Sequence, residues 1–505
     1  MREKRGKVYI VGGGPGDFLL LTLKAVKVLK EADIIIYDHL VPDIAIDFFS
    51  NCQKIYVGKE ASKHTMTQDQ INELLVKYAS DGKKVVRLKG GDPFIFGRGG
   101  EECEYLYENN IDFEVIPGVS SFYSALSYAG VPITHRNYVS SFAVATGSEA
   151  EKEKSNLDFS ALSRCGTLVF LMTVKALPKI VEELKKYLDP KTPCILVQNG
   201  TLSEQKSVLG TLEDILKKAE GVISPPAIFA VGQVSLLHKS LNWFEKKILF
   251  GKKIVITRPV EQSYDFAVMI SENGGEPILF PSLKITKNSN HSDNIKSFCK
   301  LIQRFDESQR KNSLVVFTSQ NGVEIFFNEI FSLGLDSRIL YGFKVSAVGE
   351  KTAKSLENFG IRADLVPKDF STPSLAKDII NTDAKNVFFL RAEDVRNIEK
   401  QIQEAGKSVM NFDIYKIEKY EHSEERIKMI LNKNPDVLTF ASSLSFEYFT
   451  DYFSLDWIRQ RTIACIGRIT AKAVEKKIGK VPEIISDHHT IESLFQKILD
   501  YFCAK

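Results

Sequence analysis

Short runs of β-branched and aliphatic residues alternate with amphipathic stretches along the first half of the chain. Helical spacing of apolar residues occurs in Leu21–Glu31 and Gln68–Ala79. The runs typical of buried strands are Val8–Val11, Asp33–Tyr37, Val85–Leu88, Asp112–Ile116, Thr167–Leu171 and Cys194–Val197. This alternation of strands and helices predicts an α/β fold.

The pattern is interrupted at WFEKKILFGKK (Trp243–Lys253), and the strand-like run Ile254–Thr257 then starts a second α/β region. We place the domain boundary near Leu249, which gives a leading half of residues 1–248 and a trailing half of residues 249–505. Because the connection is short and contains bulky apolar residues, it is not expected to be a long flexible tether.

The trailing half contains a faint internal repeat. FTSQNGVEIFF at Phe317 is similar to FASSLSFEYF at Phe440, and AVGEKTAKSLENFG at Ala347 is similar to ACIGRITAKAVEKKIG at Ala464. The repeat predicts two similar α/β lobes with a cleft between them. Since short α/β units often look alike, chance similarity stays open as the alternative.

Length and charge narrow the class of protein. A chain of 505 residues is long enough for about two to four domains. Its 67 basic and 64 acidic residues nearly balance, with a net charge of +3. No general attraction to nucleic acid is therefore expected, and an anionic ligand has to be bound by local clusters of charge.

The cysteines and the apolar runs indicate the compartment. The seven cysteines are scattered without a CxxC pair, so neither a disulfide framework nor a metal site is predicted. The basic start runs directly into a strand and lacks the apolar stretch of a signal peptide. Since no apolar run approaches about 18 residues, we expect no membrane span and a cytoplasmic location.

Two glycine-rich segments follow predicted strands. VGGGPGD (Val11–Asp17) lacks the ending of a Walker loop and the last glycine of a dinucleotide-binding fingerprint, so a simple tight turn fits it equally well. RLKGGDPFIFGRGGEE (Arg87–Glu102) is more specific, because a strand there ends in two glycines, an acid and a proline. This segment predicts a loop that binds a small molecule with backbone donors and the Asp92 carboxylate.

These segments belong to a longer series of motifs from Val8 to about Trp243. The other motifs are ADIIIYDHLV, VGK at Val57–Lys59, EVIPGVSSFYSALSYAGVPITHR, TLVFLMT and VQNGT. Together they make the leading half resemble the tetrapyrrole (corrin/porphyrin) methyltransferases, and most of all the uroporphyrinogen III C-methyltransferases. The resemblance implies a two-domain fold that is not a Rossmann fold, S-adenosylmethionine as cofactor, a tetrapyrrole substrate and a homodimer formed through this half.

The resemblance also assigns residues. It implies Asp38 as proton acceptor and Lys59 as proton donor, although position alone favours a helix-capping or surface acid at Asp38 and a solvated lysine at Lys59. The implied cofactor contacts are Pro15, Gly90, Gly91, Asp92, Ile95, Ser120, Ser121, Met172, Gly200 and Ala227. Cations in or beside the matched loops are candidates for binding substrate carboxylates, namely Arg87, Lys89, Arg98 and Arg136.

The trailing half resembles uroporphyrinogen III synthases, through ITRP, FTSQNGV, VSAVGEKTAKSL, FLRAEDVR, YKI, TFASS and IGRITA. The resemblance implies a two-lobed α/β fold, a reaction on hydroxymethylbilane without cofactor, and Tyr415 as candidate acid. The implied ligand-contacting hydroxyls are Thr318, Ser319, Thr352, Ser442 and Thr470, although helix capping also explains their positions. Arg258 and Arg391 lie at strand ends, where anions could be bound.

The combined motifs predict one bifunctional enzyme. It cyclises hydroxymethylbilane to uroporphyrinogen III with inversion of one ring, then methylates the product twice to precorrin-2, on the route to sirohaem or cobalamin. One alternative is a methyltransferase for a later corrin intermediate with a non-catalytic, tetrapyrrole-binding trailing half. Another is a nucleotide-binding oxidoreductase with a sugar- or amino-acid-binding trailing half, against which the incomplete dinucleotide fingerprint argues.

Overall fold

The computed structural model describes residues 6–38, 41, 43–50, 52–58, 66–150, 156–287, 289–367, 372–393 and 398–504. Within these ranges no helix combines the length and the apolar character that crossing a membrane requires. The predicted donor Lys59 lies outside the described residues.

A five-stranded parallel sheet opens the chain. Its strands are β1 Lys7–Gly12, β2 Ile34–Tyr37, β3 Gln53–Tyr56, β4 Lys84–Lys89 and β5 Asp112–Ile116, in the order β3-β2-β4-β1-β5. Its helices are α1 Leu23–Glu31, α2 Asp43–Phe49, α3 Gln68–Ser80 and α4 Gly99–Glu108. Because all five strands run in one direction, the loops after β1, β2, β4 and β5 meet at one edge of the sheet, where ligands bind in open α/β folds.

A second, mixed sheet completes the leading half. Its strands are β6 Phe142–Thr146, β7 Thr167–Leu171, β8 Pro193–Gln198, β9 Lys206–Thr211 and β10 Ala227–Val231, in the order β6-β7-β10-β8-β9. Its helices are α5 Ser121–Tyr128, α6 Gly147–Ala150, α7 Phe159–Leu162, α8 Leu177–Leu184, α9 Ile215–Ala219 and α10 His238–Leu241. Only β6 and β7 pair in parallel within the described sheet, and the remaining pairs are antiparallel.

The trailing half contributes ten strands to the described part of the chain. They are β11 Lys253–Ile256, β12 Glu276–Leu279, β13 Leu283–Lys287, β14 Ser313–Phe317, β15 Lys344–Ala347, β16 Asn386–Ala392, β17 Ser408–Lys419, β18 Val437–Phe440, β19 Thr462–Cys465 and β20 Ile484–Ile485. Its helices are α11 Tyr264–Glu272, α12 His291–Gln303, α13 Glu307–Lys311, α14 Gln320–Ser332, α15 Glu350–Glu357, α16 Thr372–Ile380, α17 Glu399–Glu404, α18 Glu424–Lys433, α19 Ser443–Phe449, α20 Leu455–Arg459, α21 Arg468–Ile478 and α22 Ile491–Cys503.

These elements are divided between two compact units of the chain. The unit formed by residues 1–281 and 422–505 contains the leading half and the parallel sheet β12-β11-β18-β19-β20. The unit formed by residues 282–421 contains the mixed sheet β13-β17-β16-β14-β15. The core of this second unit is rich in aromatic side chains, among them Phe298, Phe326 and Phe388, all fully buried.

The α/β prediction and the strands read from the hydrophobic pattern are confirmed. Each predicted run lies on a strand, with ends that coincide or differ by one residue. The internal repeat falls on matching elements, since Ser319 caps α14 after β14 and Ser442 caps α19 after β18 with nearly identical backbone angles. Gly349 and Gly467 likewise precede α15 and α21 in extended backbone.

Candidate functional site

Two glycine loops are joined by backbone hydrogen bonds at the carboxyl edge of the first sheet. The Gly13 N–H donates to the Lys89 carbonyl at 2.7 Å. Gly14 and Gly91 exchange two such bonds, of 3.2 Å and 2.7 Å. The loop after β1 and the loop after β4, which the sequence singled out separately, therefore form one structure.

The loop after β5 approaches so closely that side chains are excluded. A Cβ atom added to Gly118 would lie 2.3 Å from the Gly91 carbonyl oxygen and 2.7 Å from the Gly12 Cα. Gly91 has a φ of +67°, a conformation that glycine adopts at little cost. Backbone groups of three loops are thereby brought together without side chains between them.

Asp92 fixes this arrangement. Its Oδ2 accepts a hydrogen bond from the Gly118 N–H at 3.0 Å, and its Oδ1 accepts one from the Phe94 N–H at 2.8 Å. The buried Ser120 is the N-cap residue of α5, and Ser121 begins that helix. The positive end of the α5 dipole thus faces the glycine loops, since a Cβ on Gly91 would lie 3.8 Å from the Ser121 nitrogen.

The loop after β8 also packs on α5. A Cβ on Gly200 would lie 2.2 Å from the Ala125 Cβ, so only glycine allows this contact. Nearby in the sequence, the Asp17 N–H donates to the Thr201 Oγ1 at 3.1 Å, which links the loop after β1 to the loop after β8. Gly200 and Pro15 therefore lie on neighbouring segments.

The other implied cofactor residues lie at strand ends and loops. Met172 follows β7 with a φ of +50° and is half exposed, while Ala227 is the first residue of β10 and is buried. Ile95 is partly exposed in the loop after β4. Next to Met172, the buried Thr173 hydroxyl has no hydrogen-bond partner among the described residues. Backbone that glycine leaves uncovered by side chains, together with an unpaired buried hydroxyl, suits a polar ligand such as S-adenosylmethionine.

A buried charge cluster lies behind Asp38. Arg87 Nη2 donates to Asp38 Oδ2 at 3.2 Å and Arg87 Nε donates to Glu102 Oε1 at 3.1 Å. Lys89 Nζ donates to the same Glu102 oxygen at 2.8 Å, and Gln68 Nε2 does so at 3.1 Å. Burial, with the neighbouring Arg87 charge, lowers the pKa of Lys89. The carboxylate of Asp38 is thus held by a cation that is itself fixed from behind.

Of the four cations predicted for substrate binding, two are buried and two are exposed. The Arg87 and Lys89 side chains are 4% and 6% exposed and paired with Glu102, so their geometry favours positioning Asp38 over contacting a ligand. Arg98 is exposed and forms an ion pair with Glu101, and Arg136 is exposed. Arg98 and Arg136 are therefore the two accessible cations of this set.

Sequence reasoning missed Glu102 as a site residue. Arg87 and Lys89 point to the same face of a buried strand, because side chains two apart share a face. Two cations on a buried face require a counter-charge. The acids at the start of α4 were the available candidates, and Glu102 has the apolar helical neighbours of an inward-facing position.

In the unit formed by residues 282–421, the buried Tyr415 and the half-buried Ser319 form a hydroxyl pair. Their oxygens are 2.7 Å apart, and Ser319 Oγ also accepts a hydrogen bond from the Gly322 N–H at 3.0 Å at the start of α14. Burial raises the pKa of Tyr415, against the opposing effect of hydrogen bonds with Ser319 and Thr318. The phenol is therefore held in its neutral, proton-carrying form at neutral pH.

Arg391 lies on β16 beside this pair. Its neighbour Ala392 is paired with Tyr415 on β17. The Arg391 guanidinium is 2% exposed and forms ion pairs with Glu399 and, at 3.7 Å, with Asp413. Thr352, in the first turn of α15, is also buried. The structure thus gives Arg391 two acidic neighbours where the sequence predicted a cation facing an anionic ligand.

The remaining predicted synthase residues lie in the other unit. Arg258, after β11, donates to Gln262 Oε1 at 2.9 Å, and burial lowers its pKa. Ser442 accepts a hydrogen bond from the Ser445 N–H at 3.0 Å, and Thr470 is buried in the first turn of α21. Capping therefore accounts for the Ser442 hydroxyl in the described structure, as it does in part for Ser319.

Comparisons with known proteins match both halves. The family described as Tetrapyrrole (Corrin/Porphyrin) Methylases matches residues 7–216, and the family described as Uroporphyrinogen-III synthase HemD matches residues 265–496. The Porphyrin biosynthesis protein HemD of Ruminiclostridium josui is 36% identical over 507 residues, covering 98% of this chain and 98% of that protein.

Two methyltransferases are also similar. The Uroporphyrinogen-III C-methyltransferase of Bacillus subtilis is 40% identical over 374 residues, covering 73% of this chain and 75% of that protein. The S-adenosyl-L-methionine-dependent uroporphyrinogen III methyltransferase of Methanosarcina barkeri is 48% identical over 247 residues, covering 48% of this chain and 97% of that protein. The matches follow the order that the motifs predicted.

Proposed function

The chain belongs to the proteins that join a tetrapyrrole (corrin/porphyrin) methylase to a uroporphyrinogen-III synthase, and from this premise we propose which residues carry its two reactions. It is a bifunctional enzyme that cyclises hydroxymethylbilane to uroporphyrinogen III and methylates that product twice with S-adenosylmethionine to precorrin-2. The oxidoreductase alternative has no support in these matches.

The cofactor is assigned to the carboxyl edge of the first sheet. The single observation that carries this assignment is the joined pair of glycine loops, Gly14 with Gly91, tied by Asp92 to Gly118. When bound, S-adenosylmethionine supplies an electrophilic methyl group. The protein residues orient the two reactants and exclude water, which is the main requirement of a displacement at a methyl carbon. The proposed contacts are Pro15, Gly90, Gly91, Asp92, Ile95, Ser120, Ser121, Met172, Gly200 and Ala227.

Asp38 is assigned as proton acceptor for the tetrapyrrole. Methylation of a pyrrole carbon leaves the ring system cationic, and loss of a proton to an Asp38 carboxylate oxygen restores neutrality. The Arg87 guanidinium orients that carboxylate through a hydrogen bond, and Glu102 keeps Arg87 in place. Lys59 as donor stays a proposal from the resemblance alone.

Arg98 and Arg136 are the proposed binders of substrate carboxylates in the leading half. Both are exposed, and a guanidinium can form two parallel hydrogen bonds with one carboxylate. Arg98 forms a surface ion pair with Glu101, which a substrate carboxylate can displace at little cost. In this proposal Arg87 and Lys89 do not bind substrate. Arg87 positions Asp38, and Lys89 shares Glu102 with Arg87.

Tyr415 is assigned as the acid of the synthase reaction. Loss of the hydroxyl group of hydroxymethylbilane as water requires a proton, and a neutral phenol within hydrogen-bond distance of Ser319 can donate one. Thr318, Thr352, Ser442 and Thr470 are proposed as hydroxyl contacts for the substrate. Arg258 is the proposed cation that attracts its carboxylates, while Arg391 is already paired with Glu399 and Asp413.

Three further features stay proposals. We propose a boundary between residues 248 and 249, a homodimer formed through the leading half, and a cytoplasmic location. The scattered free cysteines support the location. Light scattering of the purified chain at two concentrations checks the dimer, since a single mass of one chain at both excludes it.

The experiment that tests the function supplies hydroxymethylbilane and S-adenosylmethionine to the purified chain. The expected product is a type III macrocycle with two added methyl groups, identified by mass spectrometry. A parallel reaction that starts from uroporphyrinogen III isolates the methyl transfer. A type III macrocycle without methyl groups in both reactions would leave only the synthase assignment standing.

A further inference from the structure

An aromatic side chain of the trailing half lies against the leading half, within the unit formed by residues 1–281 and 422–505. The ring of Tyr264, at the start of α11, has centroid distances of 6.1 Å to Phe18, 5.3 Å to Phe48 and 5.9 Å to Phe49. Phe18 is 3% exposed and shares a core cluster with Leu249 and other residues of the trailing half. The segment just after the first glycine loop is thus packed into the core of the other half.

A polar contact joins the same two segments. The Ser271 hydroxyl, near the end of α11, donates to Asp17 Oδ1 at 3.3 Å. Asp17 directly follows Gly16 and is 9% exposed. Its Oδ2 accepts a hydrogen bond from the Tyr128 hydroxyl of α5 at 2.8 Å, and burial beside Asp17 raises the pKa of that phenol. Asp17 therefore connects the glycine loop to α5 and to the trailing half at once.

Helix α2, which follows Asp38 in the chain, has a second set of contacts with the trailing half. Arg426 donates to Asp47 Oδ2 at 2.8 Å and to the Leu279 carbonyl at 2.5 Å. Ala45 is fully buried in the cluster that contains Phe18 and Leu249. The helix also packs against β12 and against the turn Val260–Gln262, which follows Arg258. The segment after the first glycine loop and the helix after Asp38 are thus both in contact with the trailing half.

We propose that Tyr264 and Ser271 of the synthase half are positioning residues for methyl transfer by the other half. This inference rests on the proposed function of the glycine loops. Tyr264 orders the segment after the first glycine loop and the end of α2, and Ser271 orients Asp17. Neither residue touches the reacting atoms, so their effect passes through the loop after β1 and the helix after Asp38.

The test uses the full chain with uroporphyrinogen III supplied directly, so that the synthase step does not limit the rate. Ser271→Ala removes one hydrogen bond and is expected to raise the KM for S-adenosylmethionine about threefold with kcat unchanged. Tyr264→Ala removes three ring contacts and is expected to lower kcat/KM about tenfold, whereas Tyr264→Phe keeps the ring and stays near wild type. Tyr448→Ala is the matched control, because it makes the same truncation on α19, a helix that packs against β18 and α21. This variant is expected to leave methyl transfer unchanged.

The outcomes separate this inference from the proposed function. If the wild-type chain fails to methylate uroporphyrinogen III, the proposed function is wrong. If the wild-type chain is active and Ser271→Ala has an unchanged KM while Tyr264→Ala equals Tyr264→Phe, the inference is overturned. Should Tyr264→Ala lose its fold, shown by loss of synthase activity as well, the KM of Ser271→Ala alone decides.

Discussion

Neutralising Glu102 tests whether the buried charge cluster holds the site together. Glu102→Gln keeps the shape of the side chain and removes the charge that Arg87 and Lys89 share. Glu101→Gln is the matched control, because the same change one residue earlier affects a side chain that is 54% exposed and paired only at the surface with Arg98. The two variants therefore make the same chemical change to a buried and to an exposed carboxylate, each of which has its own cationic partners.

The expected magnitude follows from burial and from the ordinary pKa of lysine. Removing one partner of a buried ion pair destabilises the fold by about 3–5 kcal/mol, whereas a surface pair contributes less than about 1 kcal/mol. Lys89 can limit this loss of stability by releasing its proton, so that no unpaired charge stays buried. With an unfolded pKa of about 10.4 and 1.36 kcal/mol per pH unit, deprotonating Lys89 costs about 4.6 kcal/mol at pH 7 and about 2 kcal/mol at pH 9.

The pH dependence has a definite sign. Burial lowers the folded-state pKa of Lys89, so the unfolded state binds more protons in the range between the folded and unfolded values. Stability therefore rises with pH across that range. Loss of the Glu102 charge lowers the folded pKa further, and the destabilisation of Glu102→Gln is expected to be large at pH 7 and to shrink towards pH 9.

Chemical labelling of Cys103 measures the loss of stability at α4 itself. It is 7% exposed on α4 beside Glu102, so a thiol reagent modifies it when α4 opens. Peptide mass spectrometry of labelled protein gives the opening free energy of this helix without assuming that the whole multidomain chain unfolds in one step. Equal Cys103 protection in Glu102→Gln and Glu101→Gln at pH 7 would refute the role assigned to the cluster.

Three further predictions concern the two reactions. Asp38→Asn is expected to lower the methylation kcat on the order of 100-fold while the Kd for S-adenosylmethionine, measured by calorimetry, stays near wild type. Gly118→Ala places a Cβ 2.3 Å from the Gly91 carbonyl and is expected to weaken cofactor binding more than about tenfold, whereas Gly100→Ala, with no atom within 4 Å, leaves the Kd unchanged. Tyr415→Phe is expected to slow the synthase about 100-fold, and because burial raises the pKa of Tyr415, the wild-type rate shows no loss from phenol ionisation up to pH 9.

The hydrophobic pattern sufficed for β1, β2 and β4 because each is a mostly buried run between polar turns, whereas β3, whose residues are exposed or half-buried, was not predicted. The predicted run Val85–Leu88 lies inside β4, and Asp112–Ile116 coincides with β5. The glycine loops could be predicted for a related reason, since loops whose backbones approach this closely cannot carry side chains at the contact. The direct pairing of the two loops could not be predicted, because strand order is set by tertiary contacts.

The charge of a residue in the sequence did not reveal its surroundings. Arg87 and Lys89 were predicted to meet substrate, and the structure places both beside Glu102 in the interior. Asp17 and Ser271 were not predicted at all, because their contact joins residues from opposite halves of the chain. Such pairings depend on how helices dock, for which one sequence carries no periodic signal.

The central claim is that the joined glycine loops bind the methyl donor. A crystal structure of the chain grown with S-adenosylhomocysteine tests it most directly. We predict electron density for the nucleoside along Gly13–Gly16 and Gly90–Asp92, close to the start of α5. Density bound elsewhere, with the Gly90–Asp92 turn facing only solvent, would contradict the account.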